Sequence, residues 1–114
     1  MLKQKAVMDF SSVRDNIKTL SFEVLRTDCD NFFEAVIINE EIEKLNLRLK
    51  NLFGEPVFPS KSSLQQKIQE TVDNLGGIMP GQTLYYKDMG QGCIFAMLWP
   101  WRDGVRTTVK IIQK

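Results

Sequence analysis

The chain contains no histidine, and its thiols are limited to Cys29 and Cys93. Histidine is the commonest general base near neutral pH and the commonest metal ligand, so its absence removes both. Ser-His-Asp and Cys-His catalysis are excluded, as are histidine-based zinc sites. Two cysteines fall short of a four-thiolate zinc site within one chain. With no export signal, they are expected as reduced thiols rather than a disulfide. An enzyme built from this chain would have to use carboxylates such as Asp88 and Glu34 as acid and base, helped by tyrosine or Lys87, and no spacing links that pair. The balance leans away from an enzyme, and no cofactor or metal is expected.

Two stretches approach known ligand motifs and miss. Asp28-Cys29-Asp30-Asn31 starts like a calcium loop, but no glycine follows at the sixth position and no glutamate at the twelfth. It reads instead as a polar hairpin turn. Residues 76 to 83, GGIMPGQT, nearly match the phosphate-binding pattern GxxxxGK[ST], with Gln82 in place of the lysine that reaches the phosphates. The context is also reversed, because a helical pattern precedes and a strand pattern follows. A helix stop and a Pro-Gly turn account for it.

Tyr85, Tyr86, Lys87, Trp99, Trp101 and Arg106 combine rings and positive charge, as single-stranded nucleic-acid platforms do. The net charge of +1 and the scattered lysines and arginines argue against that partner. No apolar run reaches the roughly 18 residues of a spanning helix, so no membrane partner is expected. The N-terminal segment is interrupted by Asp9 before an apolar signal region develops. A cytoplasmic protein is the expectation, with residues 1–114 forming one domain.

The elements that must position these residues are legible from periodicity. Ile42, Leu45, Leu49 and Leu52 line one face of a helix from about Glu40 to Phe53, with Asn39 as its N-cap and Gly54 as its stop. Leu64, Ile68, Val72 and Leu75 mark a second helix, opened by the Ser63/Gln66 capping pattern and closed by Gly76-Gly77. Val7, Phe10, Val13, Ile17 and Leu20 have helical spacing across residues 4–19. Strands are expected at 21–27, 32–39, 83–87, 93–101 and 105–112. A four-residue loop at Asp28–Asn31 would place Phe22, Val24 and Arg26 on one face with Phe33, Ala35 and Ile37. A second turn is expected at Met89–Gly92. The fold class is α+β: a five-stranded antiparallel sheet, made of an N-terminal hairpin and a C-terminal three-stranded meander. Two or three helices cover one face, in the order (α)ββααβββ.

From Cys93 to Trp101 both faces of the strand are apolar, so the loop before the next strand decides where the tryptophans point. A three-residue loop, Arg102-Asp103-Gly104, joins Met97, Trp99 and Trp101 to Val109 and Ile111 in the core. A two-residue Asp103-Gly104 loop sets Trp101 beside Arg106 and Met97 beside Lys110 on the open face. One residue of slip exchanges the two outcomes. Apolar matching favours three residues. The open face then carries Ile94, Ala96, Leu98 and Pro100, bordered by Arg106, Thr108 and Lys110, a strip suited to protein contact. Pro100 lacks a ladder donor and is expected at a bulge or an edge position. The leading expectation is a small non-catalytic module acting by protein contact, self-associating as a homodimer or binding another protein through this face. The alternative is a protein that binds a small apolar or aromatic ligand in a pocket lined by Tyr85, Met97, Trp99 and Trp101.

Overall fold

A computed structural model of the chain describes residues 9–58, 66–74, 76–89 and 92–114. The elements run α1 (Phe10–Lys18), β1 (Val24–Asp28), β2 (Phe32–Ile38), α2 (Ile42–Phe53), α3 (Gln66–Asn74), β3 (Thr83–Asp88), β4 (Cys93–Pro100) and β5 (Arg106–Gln113). A 3-10 turn at Asn39–Glu41 leads into α2. All five strands pair antiparallel in the order β1-β2-β5-β4-β3, which is the hairpin-plus-meander α+β arrangement expected from the sequence.

The helices form where apolar spacing and local caps agree. In α1, the Asp9 carboxylate accepts the Ser12 N–H at 2.8 Å, and Phe10, Val13 and Ile17 are buried. Residues 4–8 of the expected helix, Val7 among them, lie outside the described residues. In α2, Leu45, Leu49 and Phe53 are buried. Asn39 does not cap this helix, because its side chain is taken up by the far hairpin described below. Arg48 of α2 donates to the Asn16 carbonyl (2.8 Å) and to Thr19 Oγ1 (2.6 Å), capping the C-terminal end of α1. In α3, Ile68 and Val72 are buried, whereas Leu64, Leu75 and the capping residue Ser63 lie outside the described residues. The Gly77 N–H returns to the Val72 carbonyl at 2.8 Å, so the paired glycines stop the helix as expected.

The helices do not all share one face. Phe33, Ala35, Ile37, Tyr85, Ile94, Ala96, Leu98, Val109 and Ile111 form a first face that packs on α1 and α2. Leu84, Cys93, Phe95, Met97 and Ile112 form a second face that packs on Ile68 and Val72 of α3. The chain rounds the sheet at the edge of β3, where Phe58 bridges Leu84 and the Val57 N–H donates to the Leu84 carbonyl at 2.8 Å. That bridge also covers an edge that would otherwise be open.

The first hairpin departs from the expected pairing in two ways. The Cys29 N–H donates to the Phe32 carbonyl at 2.8 Å, which leaves Asp30-Asn31 as a two-residue loop. Asp28 and Thr27 then face Phe33 and Glu34, but the register shifts past Arg26, so Leu25 faces Ala35 and Val24 faces Val36. This bulge moves Val24 off the face it was expected to share with Ala35 and sends Arg26 to the second face, beside Glu34.

Candidate contact site

The β4-β5 hairpin sets the geometry. Its ladder runs from Ile94↔Gln113 to Pro100↔Thr107, and the Trp101 N–H donates to the Arg106 carbonyl at 2.8 Å. The loop therefore has four residues, Arg102–Val105. An even loop preserves the register of the two-residue alternative and overturns the three-residue one. The cause is polar. The Asp103 carboxylate accepts the N–H groups of Val105 (2.8 Å) and Arg106 (3.1 Å) and pairs with the Arg106 guanidinium. Asn39 holds the loop from the other side. Its backbone N–H donates to the Val105 carbonyl (2.7 Å), its side-chain amide donates to the Gly104 carbonyl (3.0 Å), and its Oδ1 accepts the Thr107 hydroxyl (2.7 Å). Gly104 takes φ +70°, the left-handed conformation such a loop demands.

This register divides both sets of residues singled out in the sequence. Ile94, Ala96 and Leu98 are buried against α1 and α2, so they form no open strip. Lys110 and Arg106 stand on the second face, and Pro100 closes β4. Because Trp101 N points at β5, the Pro100 nitrogen points toward β3, which already ends at Thr83 opposite Leu98. Its missing donor is thus placed where no ladder bond is due, an edge position.

Of the pocket residues, Met97, Trp99 and Trp101 lie on the second face and Tyr85 on the first. The Tyr85 hydroxyl donates to Asn46 Oδ1 at 3.0 Å. Burial, reinforced by Glu55, raises its pKa, so the phenol holds its proton at neutral pH. Asp88 and Glu34 lie three strand spacings apart, roughly 14 Å across the sheet, and are further offset along the strands because Glu34 is level with Leu84, so they are too far apart to share one reacting atom. Asp28 is engaged by Lys18 and Arg14 rather than turned toward a cation loop. In the 76–83 stretch, Gln82 closes a turn with Met79.

The second face has two halves. Over β3 and β4 it is covered by α3. Trp99 marks the border: the Lys110 ammonium sits 3.7 Å from its ring centroid, and the Gly76 turn lies over its edge. Its Nε1 is buried and has no hydrogen-bond partner among the described residues. Beyond it lies Trp101, whose Nε1 donates to Thr108 Oγ1 at 2.8 Å and whose ring is approached by the guanidinium groups of Arg26 (5.7 Å) and Arg106 (5.8 Å). Arg26 is paired with Glu34, and Arg106 with Glu23 and Asp103. The Arg106 pKa is pushed up further, first by Glu23 and then by Asp103. The Asp103 carboxyl is held below its ordinary range, chiefly by the Val105 N–H and then by Arg106.

Large apolar side chains exposed among the described residues are Val24 (43%), Leu25 (49%), Leu47, Met79, Trp101 (37%) and Val105 (45%). Val24 shares the second face with Trp101, in one row with Val36, Thr108 and Trp99, whereas Leu25 faces Ala35 on the first face and Val105 follows Asn39 and Thr107 onto that face. Sequence reasoning singled out Trp101 and Arg106 on the second face but missed Glu23, Val24 and Arg26. Arg26 and Val24 were hidden by the bulge, which leaves no mark in an alternating pattern. Among the described residues, no helix is long and apolar enough to cross a membrane, and no cluster of three or more Cys, Asp or Glu side chains is placed to hold a metal ion. Comparison of the chain with protein-family models, with curated proteins and with solved structures finds no match in any of the three.

Proposed function

We propose that this chain is a non-catalytic module that acts by protein contact, and that its contact surface is the Trp101 corner of the second sheet face. The observation that carries the reading is an exposed tryptophan already fixed by Thr108, Arg26 and Arg106, on the same sheet face as the exposed Val24. Tryptophan and arginine dominate the energetic centres of protein interfaces. A ring held in place before binding loses little side-chain freedom on contact. The guanidinium groups beside the ring are already paired, Arg26 with Glu34 and Arg106 with Glu23 and Asp103, which does not favour a phosphate backbone there.

The test is a photo-crosslinking amino acid at position 24 of the full chain, exposed on the Trp101 face, expressed in its native cell, with position 50 on the exposed side of α2 as control. Discrete protein adducts from position 24, absent from position 50 and lost on Trp101→Ser, are expected. No adduct at 24, or equal labelling at both positions, overturns the reading.

A further inference from the structure

We infer that Asp103 is a site of spontaneous isomerisation to isoaspartate, which the native β4-β5 loop holds off with Asn39 as its guard. Asp103-Gly104 is the only place in the sequence where glycine follows an aspartate or an asparagine. Glycine has no Cβ, so its amide nitrogen is unhindered and can reach the carboxyl of the preceding side chain. The reaction needs nothing but water. The Gly104 nitrogen bonds to Cγ of Asp103, and one carboxyl oxygen leaves as water, taking the Gly104 N–H proton and the carboxyl proton. Water then opens the cyclic imide at the former main-chain carbonyl, breaking its bond to the Gly104 nitrogen. The chain afterwards runs through the Asp103 side chain, with its mass unchanged.

The fold opposes each requirement of ring closure. The Gly104 N–H is committed to the Trp101 carbonyl at 3.2 Å. The Asp103 carboxylate is held by both oxygens: Oδ1 accepts the N–H groups of Val105 and Arg106, and Oδ2 takes the Arg106 guanidinium at 2.8 Å. These donors favour the ionised carboxylate, which has no hydroxyl to lose, and Cγ cannot swing onto the Gly104 nitrogen without breaking them. Asn39 ties the hold to the rest of the fold, because it bonds the carbonyls of Gly104 and Val105 and is itself fixed by the Thr107 hydroxyl. The site therefore reacts through local opening of the loop. Isomerisation puts an extra carbon into the main chain of the loop and shifts the carboxylate that Val105 and Arg106 share. The four-residue spacing behind the β4-β5 register is then lost, and Arg106 loses a partner beside Trp101.

Peptide mapping of the purified full chain, aged at neutral pH in water enriched in heavy oxygen, tests this, since each ring opening leaves a heavy oxygen at position 103. Ageing in guanidinium chloride gives the unguarded rate. The native chain should react at least about tenfold more slowly, as a site reached only by local opening does. Asn39→Ala should speed the native reaction several-fold. Asn39→Asp still accepts from Thr107 but cannot donate to Gly104, so its rate should fall between that variant and the parent chain. Far-UV circular dichroism during ageing shows which chains remain folded, and Asn39→Asp carries the comparison if Asn39→Ala unfolds. Asp103→Glu, whose longer side chain closes an imide far less readily, should give no label at 103. No isoaspartate in the denatured chain removes the site. Equal rates in native and denatured chains overturn the protection, and folded Asn39 variants that age no faster than the parent overturn the guard.

Discussion

Asn39 stands just before α2 and has the side chain of a helix cap, yet it binds the β4-β5 hairpin across the sheet instead. The reason is the 3-10 turn, which leaves Glu41 rather than Asn39 at the start of the regular helix. Asn39→Ala should cost about 1–3 kcal/mol, because it strands the hydroxyl of Thr107, a residue only 2% exposed, together with the Gly104 carbonyl. Urea denaturation measures that loss. Asn39→Asp separates the two roles: a carboxylate caps a helix as well as an amide does but cannot donate to Gly104. Only partial recovery is therefore expected, with helix content unchanged. Gly92 is constrained for a different reason. A methyl group there would lie 2.4 Å from the Lys114 carbonyl oxygen, a backbone atom bound into the end of the sheet. Gly92→Ala should cost about 1–3 kcal/mol in the same assay, the range of overpacking.

At the scale of elements, strand identity was legible and strand register was not. Alternation and turn residues located all five strands, because those signals act within a few residues. Register depends on loop length, and Asp103-Gly104 is compatible with two, three or four residues until Asn39, far away in sequence, selects four. A second bulge-type ambiguity at Arg26 moved Val24 to the other face. The loop so formed should also be acid-sensitive. The folded pKa of Asp103 lies below its unfolded value, so its stabilising effect is complete above about pH 4 and is lost as pH falls through the lower, folded value. Amide exchange at Val105 and Arg106 should accelerate over that range while β2 stays protected. Asp103→Ala should remove the pH dependence at those two amides. Unchanged acid sensitivity in that variant would assign the effect to another carboxylate.

For the molecule as a whole, the two-sided apolar β4 was the clue that both faces of the sheet are covered. A strand apolar on both sides, inside a sheet, asks for packing on each. Which helix crosses over could not be read from periodicity, since a helical stripe records only that it packs, not on what. The crossing requires the Val57-Phe58 segment to wrap the β3 edge, and among the described residues it leaves α3 as the only helix on its face. The two layers should consequently differ in local stability. On the first face, α2 buries Leu45, Leu49 and Phe53 and is tied to α1 through Arg48. Among the described residues, α3 buries Ile68 and Val72 and ends in a glycine turn over Trp99. Native-state hydrogen exchange should therefore show α3 opening at lower free energy than α2. Val72→Ala should speed exchange in α3 and shift Trp99 emission without lowering the global midpoint in proportion. Leu49→Ala, by contrast, should reduce global stability by about 2–5 kcal/mol. Opening of α2 and α3 together, in one step at the global free energy, would mean that the sheet couples its faces too tightly for α3 to act as a separate layer. The Trp101 corner lies on the half of the second face that α3 leaves uncovered, so α3 release should leave the Trp101–Thr108 hydrogen bond intact.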